Sequence, residues 1–168
     1  MARLNDLPQA ALRNAVGNYN MTKGVLAINA ASAATIKSTN AYTYTVNGIL
    51  YSKAALSAQA ITNMTGPVQA STTTYVQPIS TTVYYVVCLD AAGTVSIVQG
   101  SYATQALGGG AIGDGSIPDV ASTVTPIGIF KVATNASATF TAGTTALDAA
   151  GVTVTYYDVA GPLPVGAI

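Results

Sequence analysis

The clearest pattern in the chain is a run of β-branched and aromatic residues that leads into Asp-Ala-Ala-Gly. The run spans residues 81–89, the tetrapeptide occupies 90–93, and a second apolar run continues to Gln99. Such side chains fit a pleated sheet, and Asp and Gly are typical turn residues. We predict that residues 81–100 form the central hairpin of an antiparallel sheet. Because residues 83–89 are apolar without alternation, we expect both faces to be covered, by a second sheet or by a neighbouring subunit.

A second hairpin is predicted around Asn47-Gly48. The flanking residues 42–46 and 49–52 read Tyr-Thr-Tyr-Thr-Val and Ile-Leu-Tyr-Ser. Asn-Gly favours a type I′ turn, because both central residues of that turn need positive φ. We expect Tyr42, Tyr44 and Tyr51 to pack in the core or between sheets. A sugar-stacking platform is the alternative.

Weaker patterns predict further strands along the rest of the chain. They cover residues 24–29, 72–79, 123–133, 136–141 and 152–159. Pro78 in the second of these segments indicates an edge strand or a bulge. Residues 30–36 and 54–61 are compatible with either strand or helix. Residues 147–154 repeat five positions of residues 89–96. We interpret the two segments as the same type of hairpin, used twice in the chain.

Both ends of the chain differ from this strand-rich middle. Asp6 as N-cap, Gln9 three residues later and Gly17 as the stop predict a short helix within an N-terminal arm, residues 1–20. We expect the helix to dock on its own sheet or, as the functional alternative, on another protein. The C-terminal tail, residues 160–168, is apolar and contains two prolines. We expect it to lie in a groove of its own subunit or of a neighbour.

A glycine-rich segment, residues 107–119, interrupts the strand pattern and predicts a loop. It is not a phosphate-binding loop, because no Lys-Ser or Lys-Thr follows it. Calcium needs more oxygen ligands than the carboxylates of Asp114 and Asp119 supply. After the arm, residues 21–168 are predicted to form a single β domain. The predicted fold class is all-β, an antiparallel β-sandwich or barrel with a short N-terminal helix or arm.

Composition changes the expected character of the surface. Half of the 168 residues are apolar and 7% are charged, against roughly 25% charged in an ordinary soluble domain. No run approaches the roughly 18 apolar residues that a membrane helix needs, and we expect no membrane contact and no signal peptide. The missing charge therefore indicates contacts with protein instead of lipid.

The few charges are unevenly distributed along the chain. Residues 1–84 carry five basic residues and one aspartate, a net charge of +4, whereas residues 85–168 carry one lysine and five aspartates, a net charge of −4. Either the placement is chance, or basic and acidic regions meet between subunits or against a partner lattice. The basic residues form no cluster, so we expect no nucleic acid binding.

The residue types exclude most catalytic constellations. The chain contains no histidine, tryptophan or glutamate, so Ser-His-Asp and Cys-His constellations and histidine-bearing zinc sites are impossible. We interpret the single cysteine, Cys88, as a small buried hydrophobic residue, because a reactive thiol needs a basic, partly exposed environment. We expect no enzymatic activity, no cofactor and no metal. A pair of aspartates assembled by the fold is the alternative.

Five parts follow one another along residues 1–135: the N-terminal helix, the hairpin at 42–52 with Lys53 after it, the hairpin at 84–99, Ile117-Pro118-Asp119-Val120, and Pro126-Ile127-Gly128-Ile129-Phe130-Lys131-Val132. In this order they resemble the small virion proteins of tailed bacteriophages that are encoded among the head genes. The resemblance rests on loose patterns of elements and carries no functional residue over to a position in this chain.

This resemblance implies a capsid decoration or cement protein. Such proteins are usually homotrimers on the outer surface of the virion, where they bind the major capsid protein and stabilise the shell. The alternatives are a trimeric head- or tail-fibre module and a carbohydrate-binding β-sandwich. In a carbohydrate-binding module, exposed tyrosines would line one open face.

Overall fold

The computed structural model describes residues 17–61, 64–65, 76–100, 103–104 and 117–161, and in these ranges the chain forms strands and no helix. The predicted helix, in residues 1–16, lies outside the described residues. In chain order the strands are β1 (Tyr19–Asn20), β2 (Leu26–Ile28), β3 (Thr35–Ser38), β4 (Tyr42–Val46), β5 (Ile49–Lys53), β6 (Gln59–Ala60), β7 (Met64–Thr65), β8 (Val76–Gln77), β9 (Thr81–Asp90), β10 (Val95–Gln99), β11 (Ala103–Thr104), β12 (Val124–Thr134), β13 (Phe140–Thr141) and β14 (Val152–Asp158).

Within the described residues these strands build four sheets. The largest has the order β14-β12-β9-β10-β7, with β11 also paired to β9. The two three-stranded sheets are β1-β4-β5 and β2-β3-β6, and β13 pairs with β8. Pairing in the described part of the chain is antiparallel except between β7 and β10. The predicted all-β, antiparallel and sandwich-like fold is therefore confirmed, and the end of the predicted arm at Tyr19–Asn20 belongs to a sheet.

β9 is the centre of the largest sheet, as predicted for the first arm of the 81–100 hairpin. It pairs with β10 on one side and with β12 on the other, and all of its residues from 81 to 89 are buried. Odd-numbered residues from 83 to 89 join the core that the smaller sheets share, and even-numbered residues from 84 to 88 form a second cluster. Both faces are covered within one chain, which explains the apolar pattern without alternation.

β12 carries a bulge and the main aromatic stack of the core. Its register against β9 shifts between Pro126 and Gly128, which accommodates a proline that cannot donate to the ladder. Further along, Phe130 lies opposite Tyr85, and their rings stack with centroids 4.8 Å apart and an interplanar angle of 4°. Such an aromatic pair contributes roughly 0.5–1.5 kcal/mol beyond its buried area, and it fixes the register of the two longest strands.

The hairpin predicted around Asn47-Gly48 is confirmed. β4 and β5 are antiparallel and keep one register from the turn to their far ends. The φ angles of Asn47 and Gly48 are 51° and 72°, the left-handed values that a type I′ turn requires at both positions.

Several weaker strand predictions are wrong in extent. The strand predicted for 24–29 is limited to β2, and residues 30–36 turn before they enter β3. Residues 54–61 contain the two-residue strand β6 and are otherwise irregular, without a helical turn. Of the strand predicted for 72–79, the described residues contain β8, and residues 72–75 lie outside them.

The strand predicted for 136–141 is largely irregular. The side-chain oxygen of Asn135 accepts hydrogen bonds from the backbone N–H groups of Ser137 and Ala138, both at 2.9 Å. Local bonds of this kind compete with a sheet ladder. Only Phe140–Thr141 therefore remain as a strand, paired with β8.

The interpretation of residues 147–154 as a second copy of the central hairpin is also wrong. Gly93 and Gly151 share a positive φ, 75° and 82°, but the aspartates before them act differently. Asp90 Oδ1 accepts the N–H groups of its own turn, whereas the Asp148 carboxylate accepts the N–H of Ser32, 116 residues away. β14, which follows Gly151, pairs with β12 and not with the residues before the turn.

Two predicted segments fall mainly outside the described residues. These are residues 107–116 of the glycine-rich loop and residues 162–168 of the tail. Residues 117–119, at the end of the predicted loop, are irregular. Gly161, near the start of the predicted tail, forms an antiparallel bridge with Asn20.

Candidate interaction surface

The aspartates serve as acceptors that hold loops. Asp90 accepts the N–H groups of Ala92 and Thr94, both at 2.8 Å. Asp158 accepts the N–H of Val25 at 2.8 Å, and Asp148 accepts that of Ser32. Among the described residues no three or more His, Cys, Asp or Glu side chains converge in a way that could hold a metal ion. These carboxylates act on the chain's own backbone.

Cys88 is fully buried in the second cluster, beside the central strand's valines. Burial raises the pKa of its thiol to about 12, which leaves little thiolate near neutral pH. The interpretation of Cys88 as a small buried hydrophobic residue is confirmed.

The tyrosines of the Asn-Gly hairpin belong to the core, as predicted. Tyr42 and Tyr44 are each 1% exposed. Tyr44 donates a hydrogen bond from its hydroxyl to the Asp90 carbonyl at 2.9 Å, and its ring stacks on that of Tyr51 with centroids 5.8 Å apart. Of the tyrosines whose side chains are described, Tyr19 alone is exposed. The described part of the chain therefore has no open face lined by tyrosines.

Exposed apolar side chains meet on one face of the β1-β4-β5 sheet. Tyr19 lies opposite Thr45, and Thr45 lies opposite Leu50. Residues opposite one another in antiparallel strands share a face of the sheet. Tyr19 and Leu50 are 39% and 61% exposed, and Thr45 is buried between them.

The neighbouring row extends this face. The backbone N–H of Met21 donates to the carbonyl of Thr43 at 2.9 Å, and Thr43 lies opposite Ser52. Met21 is 48% exposed. We call the side chains of Tyr19, Met21, Thr43, Leu50 and Ser52 the Tyr19–Leu50 surface. It combines apolar groups and hydroxyls and contains no charged residue.

Hydrogen bonds of two asparagines fix the strands that carry this surface. Asn20 is fully buried and donates from its side chain to the carbonyl of Val159, while its own carbonyl accepts the N–H of Gly161 at 2.9 Å. Asn18 accepts the N–H of Asn47 at 2.7 Å. Both strand β1 and the hairpin turn are thereby tied to distant parts of the chain, so the surface is preorganised for contact.

Sequence reasoning missed the Tyr19–Leu50 surface. The segment Ile-Leu-Tyr-Ser is apolar on both sides of the strand, so its pattern does not tell which side faces the core. Tyr51 lies opposite the buried Tyr44, and this register turns Leu50 outward. Only the pairing of β5 with β4, and of β4 with β1, brings the exposed groups together.

None of the described residues forms a helix of the length and apolar character needed to span a bilayer. Comparison of the chain with protein-family models, with curated proteins and with solved structures found no match. A functional proposal therefore rests on the surfaces of the chain itself and on the order of its elements.

A matched pair of tyrosine variants tests how much a hydrogen-bonded and an unbonded tyrosine hydroxyl contribute to stability. Tyr44→Phe removes the hydrogen bond from the tyrosine hydroxyl to the Asp90 carbonyl, so we expect it to lower the free energy of unfolding by about 1 kcal/mol. The Tyr156 hydroxyl is buried and has no hydrogen-bond partner, so we expect Tyr156→Phe to raise stability by up to about 1 kcal/mol. Urea unfolding of both variants measures the difference. A loss in both would show that Tyr156 makes a bond in solution.

From the burial of the Tyr156 phenol we predict a loss of stability at high pH. Burial raises the pKa of Tyr156 to about 12, and the negative charge of Asp148 adds to this increase. Unfolding returns the phenol to its ordinary pKa of 10.0, so between these values the unfolded state binds fewer protons than the folded state. The free energy of unfolding should fall as the pH rises through this window, and the fall should be smaller in Tyr156→Phe. Equal slopes in the two proteins would contradict this account.

Proposed function

We propose that this chain is a non-enzymatic structural protein of a bacteriophage particle, a capsid decoration or cement protein. In this role it binds the assembled lattice of the major capsid protein from outside and stabilises the shell. The phage assignment rests on the resemblance of residues 1–135 to small virion proteins encoded among head genes. The single observation that carries the binding role is the Tyr19–Leu50 surface.

The chemistry of that surface supports contact with protein. Three of its side chains are large and mainly apolar, the tyrosine, threonine and serine carry hydroxyls, and none is charged. The buried centre of a protein interface is depleted of charge and enriched in Tyr and Met. In a chain with 7% charged residues, such a surface suits a long-lived contact.

A lattice partner also explains how a modest contact can be sufficient. The face of a three-stranded sheet offers limited area, so we infer that one copy binds weakly. An oligomer, a trimer in the proposed role, engages several sites of the lattice at once, and effective concentration then raises the overall affinity by about 10²–10⁴. Binding to the assembled form alone stabilises the shell by mass action and requires no chemistry.

The carbohydrate-binding alternative lacks the feature on which it depends. A sugar platform needs exposed aromatic rings on one open face, and Tyr42 and Tyr44 are buried. Among the described tyrosines, Tyr19 is exposed without a second exposed ring beside it. We therefore retain the lattice-binding role.

Co-sedimentation with assembled shells of the major capsid protein from the same phage tests the proposal. We expect the protein to pellet with shells and to saturate, with a molar mass by light scattering of three times the 16.8 kDa chain. Leu50→Asp should weaken binding at least about tenfold, because it places an unpaired charge in the contact. The fold should survive, since Leu50 is 61% exposed.

Val76→Asp is the matched control. Val76 is 51% exposed on β8, outside the Tyr19–Leu50 surface, and the substitution introduces the same charge. It should bind like the wild type. Wild-type protein that stays in the supernatant would overturn the decoration role, and loss of binding in Val76→Asp with retention in Leu50→Asp would place the contact elsewhere.

A further inference from the structure

A groove with one charged residue lies beside β14. It has a volume of about 350 Å³, and its lining combines the apolar residues Ile28, Leu147, Val152 and Val154 with Thr153 and Tyr156. Asp148 is the one charged residue that lines it. A lining with several apolar side chains and a single carboxylate is suited to a long side chain that has an apolar stem and a cationic end.

The carboxylate of Asp148 is held in a fixed position. Its two oxygens lie 3.1 and 3.0 Å from the backbone nitrogen of Ser32. The neighbouring residues of the two segments are also hydrogen-bonded, because the N–H of Leu147 donates to the carbonyl of Ala33 at 3.0 Å. A carboxylate offers about four acceptor positions, so acceptor capacity remains after the Ser32 bond. Asp148 is exposed and can receive a further donor.

Three lysines of the same copy, all among the described residues, do not pair with this carboxylate. Lys23, Lys37 and Lys53 form no salt bridge with a described aspartate. Lys23 and Lys37 are exposed, whereas Lys53 is half-buried. Asp148 and these lysines are therefore complementary charges that do not meet within the described part of one chain.

The small β2-β3-β6 sheet separates Lys37 from the groove. Ile28 lies opposite Ile36, and in the next row Ala27 lies opposite Lys37. Neighbouring rows of a sheet point to opposite faces. Ile28 packs towards the core and lines the groove, so Lys37 projects from the other face. A copy therefore cannot place Lys37 in its own groove.

We propose that the groove receives Lys37 of a second copy of this chain, with its ammonium group on the Asp148 carboxylate. The two surfaces in contact are different, so the interface is heterologous, the type of contact that forms a ring such as a trimer when the rotation between copies closes. The proposal rests on the oligomeric part of the proposed function and supplies its subunit contact. It uses Lys37 instead of Lys23 because Lys23 lies near Met21, and a contact there would cover the Tyr19–Leu50 surface that faces the lattice.

Sedimentation equilibrium of the full chain tests this contact as a double-mutant cycle. We expect Asp148→Asn and Lys37→Gln each to weaken self-association at least about tenfold, and the double variant to be no weaker than either single variant. Asn at position 148 keeps an oxygen that can accept the Ser32 N–H, and Lys37 is exposed, so both variants should fold. Wild-type association should weaken with rising salt concentration.

Asp119→Asn and Lys23→Gln are the matched controls, since both residues are exposed and lie outside the groove contact. They should associate like the wild type. The proposal is overturned if Asp148→Asn or Lys37→Gln does not weaken self-association, or if the effects of the two substitutions add. It is also overturned if Lys23→Gln, and not Lys37→Gln, shows the non-additive effect with Asp148→Asn. A monomeric wild type also overturns it, whereas pelleting of that monomer with shells would leave the lattice-binding role standing.

Discussion

The burial of β9 on both faces is the constraint on which the rest of the structure depends. Its odd-numbered residues need one apolar cover and its even-numbered residues need another. Fully burying one Val, Leu or Phe side chain stabilises a fold by roughly 1.5–3 kcal/mol, so this strand contributes a large share of the core. Short strands and irregular segments arranged around it provide the covers, and the fold is consequently a central long hairpin with small sheets attached.

A chain with few charges can form few salt bridges, so its loops are held by hydrogen bonds between side chains and backbone. Here Asp90, Asp148 and Asp158 accept backbone N–H groups, and buried Gln77 donates to two backbone carbonyls. Polar side chains that satisfy the backbone in this way remove the cost of burying unpaired groups. Among the described residues, Lys23, Lys37 and Lys53 form no salt bridge with an aspartate. These charges and the uncharged Tyr19–Leu50 surface are then available to other molecules.

Local chemistry explains which parts of the fold could be predicted. The 81–100 hairpin and the Asn47-Gly48 turn depend on β-branched runs and on positive φ, which neighbouring residues determine. The failures depend on contacts between distant residues. Nothing near Asp148 indicates that its partner is Ser32, and the apolar pattern around Leu50 does not indicate which side of its strand faces out. The candidate surface therefore became visible only when strand register was known, although its lack of charge was already expected from composition.

Hydrogen exchange of the protein with and without shells tests the central claim most directly, because it reports where the lattice is bound. The account predicts slower exchange of backbone amides in β1 and β5 when shells are added, with β8 unchanged. Protection confined to β8, or equal exchange with and without shells, would contradict it.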